Sequence, residues 1–353
     1  MCSSDLGLAY SVIIVGGMLA ASTGIVGATV VTMGLISLPT MLKRGYDTKL
    51  ATGVIASSGT LGQIIPPSVV LVLLGSVLNI SVGNLFISAL LPGITLVFLY
   101  LIYVSVVTTF SPSSAPSMPD ELIKSFKDKT NFFSILNAFL LPFILIFAVL
   151  GSIFFGIASP TEAAGIGATG ALLLSVFQGS LTLKKLKKIS SETTKLTSVV
   201  FMILLGATSF SLVFRGLEGD KILVDLITSS NLTPEMFLVY VLITVFIAGF
   251  FIDFIEIIFI IVPVITPILL ALNIDLIWVG IMLAVNLQTS FLTPPFGFSL
   301  FYLKSVSPKE VQTTDIYKGV IPFVLIQLLF LIYLFFNPEF IYLLPDFLKN
   351  YNS

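Results

Sequence analysis

The chain has 353 residues, of which 56% are hydrophobic and 10% charged, whereas an ordinary soluble domain carries roughly 25% charged residues. Seventeen basic and eighteen acidic side chains leave a net charge of -1, so there is no basic footprint for nucleic acid. With no His and a single Cys, Cys2, the chain cannot build a zinc site, a Ser-His triad, a Cys-His nucleophile or an internal disulfide.

The charges are bunched. Residues 6–42, 50–119, 130–161, 163–183, 196–214, 276–303 and 319–338 carry none. Most of these gaps reach the roughly 20 apolar residues that cross a bilayer as a helix. The continuous runs exclude a β-barrel, which alternates, and predict an all-α polytopic membrane protein. Met1 to Leu6 match neither a signal peptide nor the apolar run behind them; they resemble the translation of a sequencing adapter, and the expectation is a non-native scar over 1–6.

Residues 7–42 as one helix would measure about 55 Å, against a hydrocarbon core of about 30 Å, so the segment must fold back. Ser22, Thr23 and Gly24 suit the turn of a re-entrant hairpin returning to a basic loop at Lys43, Arg44 and Lys49. A broken helix over 49–80 follows. Residues 81–230 are read as scaffold, with spans near 84–110, 131–157, 161–179 and 196–214. A Ser- and Pro-rich loop from Ser111, with Lys124, Lys127 and Lys129, and the lysines 184–195 face the cytoplasm by the positive-inside rule. Ser159-Pro160-Thr161-Glu162 reads as a capping box, a structural role for Glu162. The acidic stretch from Glu218 to Glu235 faces outward. A second hairpin over 235–272 has Gly249, Asp253 and Glu256 at its middle, and a second broken helix covers 275–305. Residues 307–353 hold a last span, entered from a basic loop with Lys304, Lys309 and Lys318, and an external tail.

The strongest signal is internal repetition. Pro39 matches Pro267, Asp47 matches Asp275, and Pro66-Pro67 match Pro294-Pro295, all at a separation of 228. Four crossings between the two Pro-Pro helices make the repeats inverted, as in secondary transporters. Proline removes a backbone donor and clashes with the preceding turn, so Ser57, Ser58, Gly59, Thr60 and Gly62 before Pro66-Pro67, and Gln288, Thr289, Ser290 and Thr293 before Pro294-Pro295, are expected to unwind and present carbonyl and hydroxyl oxygens. Such oxygens suit a hard cation, and half-helix N-termini suit an anion.

The stretches GLISLPTMLKRGY from Gly34 to Tyr46, GTLGQIIPPS from Gly59 to Ser68, SPTEAAG from Ser159 to Gly165, Gly249 to Pro267 and Asn286 to Gly297 resemble the large membrane subunit of tripartite ATP-independent periplasmic (TRAP) transporters, in the ion transporter superfamily. The resemblance implies an elevator-type carrier, multi-pass in the bacterial inner membrane. In it a transport domain of both hairpins and both broken helices slides against a scaffold. It further implies sodium-coupled uptake of an organic acid, of the dicarboxylate or sugar-acid class, delivered by a periplasmic binding protein, with a small membrane subunit as partner and the lipid bilayer as surroundings. No catalysis and no cofactor besides the coupling sodium are expected. By position, the family's sodium sites fall on Ser22, Thr23 and Gly24 with Ser57 to Gly62, and on Gly249 and Asp253 with Gln288 to Thr293. Family helices that precede the first hairpin are absent from this sequence.

A carboxylate in the middle of a membrane segment costs roughly 2.5–3.5 kcal/mol, which makes Asp253 the sodium candidate. Glu256, one turn on, is either a supporting group or a helix N-terminal charge. A carboxylate carrier working without a binding protein and an ion channel remain as alternatives. An intramembrane aspartyl protease does not fit, since Gly216-Leu-Glu-Gly-Asp220 lacks its Gly-x-Gly-Asp spacing.

Overall fold

A computed structural model describes residues 7–116, 132–230 and 232–352; Met1 to Leu6 and Lys124, Lys127 and Lys129 lie outside the described residues. The described residues form helices and no strand: α1 (Gly7–Thr23), α2 (Val26–Lys43), α3 (Thr48–Thr60), α4 (Val69–Val77), α5 (Val82–Phe110), α6 (Phe132–Phe154), α7 (Pro160–Phe177), α8 (Leu183–Gly216), α9 (Gly219–Ser229), α10 (Pro234–Ala248), α11 (Phe254–Ala271, with a π turn at Ile257–Ile261), α12 (Leu276–Leu292), α13 (Phe298–Val306), α14 (Thr313–Phe336) and α15 (Glu339–Asn352). Six of these are long and apolar enough to cross a membrane. The helix starts are written in the sequence: Asp47, Ser68, Ser81, Ser159, Thr182, Thr233, Asp253 and Asp275 each accept a backbone N–H that the helix leaves unpaired. At Ser159 the reciprocal bond from Glu162 completes the expected capping box.

The chain turns back where expected. At Gly24 the backbone is left-handed, φ +64°, and its N–H reaches Ala20 O at 2.8 Å, so α1 and α2 form the first hairpin. The second hairpin is α10 and α11, with its tip at Gly249–Asp253. Each hairpin leads through a left-handed residue, Gly45 (φ +78°) or Asn273 (φ +56°), to a capping aspartate, Asp47 or Asp275, and so to a broken helix. Gly45 and Asn273 are also 228 residues apart.

α14 displays the inversion directly. Near its start, a Cβ on Gly319 would lie 2.1 Å from Lys49 O at the head of α3; near its end, Leu334 O accepts the Trp278 indole N–H, 3.4 Å, at the head of α12. The fifteen steps from Gly319 to Leu334 rise about 22 Å, so the two broken helices start from opposite ends of the same strut. Two of the basic loops share one end: Lys43–Lys49 and the start of α14 meet there, joined by the segment after α5 through Asp47 N–H to Ser114 O, 2.9 Å.

Lipid offers no hydrophobic drive between helices, so packing rests on close approach of small residues. α3 and α14 cross at Gly53 and Gly319, where an added Cβ on Gly53 would meet Gly319 O at 2.1 Å. α5, assigned from sequence to the scaffold, instead packs along both broken helices: Gly93 touches Ile65, and Tyr100 and Tyr103 set their rings edge-on to Phe323 of α14 at 5.1 and 4.9 Å. α7 and α8 are the opposite case, with only Ala163 and Ala207 buried. Two helices were not foreseen. α9 occupies the acidic external stretch, and α15 occupies the tail and packs on α5. α8 also begins at Leu183, well before the apolar run at 196, and so absorbs the lysine run.

Candidate functional site

Both breaks exist and both contain a cis Pro-Pro bond, Pro66-Pro67 and Pro294-Pro295. They are shorter than expected. Ser57, Ser58, Gly59 and Thr60 remain in α3, Gly62 lies in the 3-10 turn Leu61–Gln63, and Gln288, Thr289 and Ser290 remain in α12; of the named residues only Thr293 is extended, φ -92° and ψ 129°. The cause is local. Proline excludes the helical conformation mainly from the residue just before it, so irregular backbone is confined to about one turn around each pair and does not spread through the polar run.

The hydroxyls are also less free than expected. Ser57 and Ser58 donate to Val54 O and Ile55 O at 3.2 and 3.0 Å, Thr60 to Ser57 O at 2.9 Å, Thr289 to Val285 O at 2.7 Å, Ser290 to Leu287 O at 2.9 Å, and Thr293 to Thr289 O at 2.7 Å. Back-bonding of this kind is the ordinary fate of Ser and Thr inside a helix. It occupies each hydroxyl proton and leaves the oxygen lone pairs able to face a cation. Serines beyond the prolines close the break carbonyls: Ser68 donates to Gln63 O at 2.7 Å and Ser299 to Phe291 O at 2.8 Å. Gln63 and Phe291 occupy equivalent places in the two repeats.

Each hairpin lies along its own break. In the first repeat a Cβ on Gly16 would lie 2.5 Å from Ser58 Oγ, one on Gly62 would lie 2.4 Å from Ala20 O, and Gly24 seats the tip on Val69 at the head of α4. Ser22 and Thr23 are exposed there, and the Thr23 and Thr29 hydroxyls share a 2.8 Å hydrogen bond. In the second repeat Asn286 Nδ2 donates to Leu242 O at 2.8 Å, and Gly249 fits over Ser290, whose Oγ would be 2.2 Å from an added Cβ. Phe254 stacks obliquely on Phe291, 5.9 Å between ring centres, so the tip with Asp253 sits against the second break. Asp253 caps α11, accepting the Phe254 N–H at 2.6 Å, and lies within Coulombic reach of Glu256 and of Tyr302 on α13. The Tyr302 ring rests on Gly27 just past the first tip, which makes Tyr302 the bridge between the two hairpins.

The Gln288 amide turns to the Tyr100 hydroxyl, 3.5 Å away, which Gln327 of α14 also reaches; Gln288 Oε1 and Gln327 Oε1 are buried without a partner. Sequence reasoning passed over Tyr100, Gln327, Tyr302, Asn286 and Gln63. The last two stand in the quoted break motifs, so they could have been found there; Tyr100, Tyr302 and Gln327 carry no local signal. Among the described residues, no three His, Cys, Asp or Glu side chains converge, and a cation at the breaks would rely on backbone, hydroxyl and amide oxygens with one carboxylate.

The sequence matches the family described as Tripartite ATP-independent periplasmic transporter, DctM component, over residues 4–340. The chain belongs to this DctM family. A relative of the same family, the C4-dicarboxylate TRAP transporter large permease protein DctM of Pseudomonas aeruginosa, is 31% identical over 343 residues, covering 97% of this chain and 78% of the relative. The sialic acid TRAP transporter permease protein SiaT of Haemophilus influenzae is 30% identical, with 90% of this chain and 50% of the relative covered. The ectoine TRAP transporter large permease protein TeaC of Halomonas elongata is 29% identical, with 96% and 78% covered. Within solved structures, the fold is similar to the crystal structure of the Alcanivorax borkumensis YdaH transporter, with a TM-score of 0.59 and 14% identity over 97% of this chain and 86% of that one. This DctM-family chain is therefore a multi-pass membrane permease subunit, and these three relatives differ in the solute they are named for.

Proposed function

We propose that the chain is the translocating subunit of a sodium-coupled carrier in the bacterial inner membrane. It takes up an organic acid handed over by a periplasmic binding protein and works beside a small membrane subunit. The two hairpins and two broken helices, with α5 and α14 packed on them, move as one body against α6 to α8. One observation carries the sodium reading. The buried polar side chains around the breaks include Ser57, Ser58, Thr60, Gln63, Asn286, Gln288, Thr289 and Ser290, and no Asp, Glu, Lys or Arg is among the buried described residues. An organic anion moved through this interior meets no fixed counter-charge, and an isolated charge is prohibitively expensive in a low-dielectric medium. Cations travelling with it supply the neutralisation, and the hydroxyl and amide oxygens of the breaks suit them.

The test is uptake of a radiolabelled acid into proteoliposomes holding the chain with its small subunit and binding protein. Uptake is expected with an inward sodium gradient and not with an equal potassium gradient. Equal uptake in both would remove sodium from the reading, and uptake undiminished by omission of the binding protein would favour a carrier that works without one.

A further inference from the structure

Gln63 is fully buried, and neither Nε2 nor Oε1 of its side chain finds a partner. Unpaired buried amides are rare, because each unmade hydrogen bond leaves a desolvation cost uncompensated. Around it, Leu61, Gly62 and Ile65 meet α1 at Gly17 and Ala20, Ile65 also meets Gly93 of α5, and the 3-10 turn packs on α12 of the second repeat. Its own backbone carbonyl accepts from Ser68, whereas the side-chain amide has no partner at all.

The missing partner has a definite chemistry. A cation would pair with Oε1 and leave both donors of Nε2 without a partner. A plain carboxylate would satisfy Nε2 and leave Oε1 empty. An acid that also carries a hydroxyl, amine or amide N–H satisfies both. We propose that Gln63 is a solute-binding residue of the first break, and that the transported acid is a hydroxy- or amino-type acid whose carboxylate or carbonyl oxygen accepts from Nε2 while its own O–H or N–H donates to Oε1. This rests on the carrier reading and narrows it from organic acids in general to those with a donor group. A site built around a substrate hydroxyl rejects the analogue that lacks it far more strongly than an apolar pocket rejects an added methylene.

The experiment uses the full chain in lipid nanodiscs and follows thermal unfolding in NaCl and in KCl. Without solute, Gln63→Met and Gln63→Leu remove an unsatisfied group, and the midpoint is expected to rise by about 2 °C or more. An unchanged or lower midpoint in both variants means that water or protein already satisfies the amide, and overturns the proposal. In NaCl, L-malate, succinate, N-acetylneuraminate and ectoine are then titrated. Any of them that stabilises the wild type is expected to need at least a tenfold higher concentration in Gln63→Met, and L-malate is expected to act below succinate, from which it differs by one hydroxyl. A solute that stabilises both proteins equally overturns the binding role, and succinate acting as well as L-malate overturns the solute class. If all four leave the wild type unmoved, the comparison without solute decides. Failure of the sodium reading is separately visible, as solute stabilisation of equal size in KCl.

Discussion

Asp253 caps α11 through the Phe254 N–H, and the Phe254 ring beside it lies against Phe291 of the second break. Asparagine caps a helix about as well as aspartate, so Asp253→Asn keeps the tip and removes only the charge. In the complete reconstituted transporter it is expected to raise the sodium concentration for half-maximal uptake about tenfold, the equivalent of about 1.4 kcal/mol, with docking of the binding protein unchanged. Unaltered sodium dependence would exclude Asp253 and move attention to Glu256, whose Oε2 is buried without a partner. Gly249 has an ordinary φ of -66°, so its size alone matters: Ser290 Oγ occupies the space of a Cβ. Gly249→Ala is expected to cost about 1–3 kcal/mol of stability and to depress uptake. Adding Ser290→Gly should restore most of both, since neighbouring substitutions are not additive. A double variant no better than the single would mean that the tip does not close on Ser290.

At the scale of elements, the two broken helices are begun by aspartates, and both meet α14, α3 through Gly53 and Gly319 and α12 through the Trp278 indole N–H. Asp47 accepts the Leu50 N–H at 3.0 Å, and Asp275 accepts those of Ile277 and Trp278 at 2.7 and 3.1 Å. Either aspartate changed to Ala is expected to lower stability by about 0.5–2 kcal/mol, and changed to Asn by much less, as read from thermal unfolding in detergent. Equal losses with Ala and Asn would show that the charge matters and the cap does not. These starts were legible because a capping residue is local and the separation of 228 ties one to the other. The extent of each break was not. Ser57 to Thr60 and Gln288 to Ser290 look on paper like residues freed to bind, but whether a hydroxyl turns to its own backbone or to a ligand depends on what packs beside it. The same holds for Gln63, where position in the motif is visible but burial and lack of a partner are not. The orientation of Gln288 was hidden for a further reason: Tyr100, to which it turns, and Gln327, which shares that hydroxyl, lie on helices distant in sequence.

For the whole molecule, the inverted arrangement requires Lys309 and Asp346 to lie on opposite faces of the membrane, since α14 runs between the two segments that carry them. In a chain with Cys2→Ser, a cysteine at Lys309 should react with an impermeant maleimide only from the cytoplasm, and one at Asp346 only from outside. Labelling of both from one side would dismantle the repeat architecture and the carrier reading together.

α8 holds a further consequence, of use to anyone wishing to watch this molecule work. Its 34 residues extend about 51 Å at 1.5 Å per residue, yet only the charge-free stretch 196–214, about 28 Å, is needed to fill a hydrocarbon core. The first thirteen residues therefore project about 20 Å beyond the core on the lysine side as a continuation of the same rigid rod. Lys188 and Glu192 lie on that projection, exposed and 3.8 Å apart. A spin label placed there becomes a surveyor's mark outside the bilayer, and its distance to a second label at Lys309 gives a direct spectroscopic gauge of the movement that the proposed carrier requires.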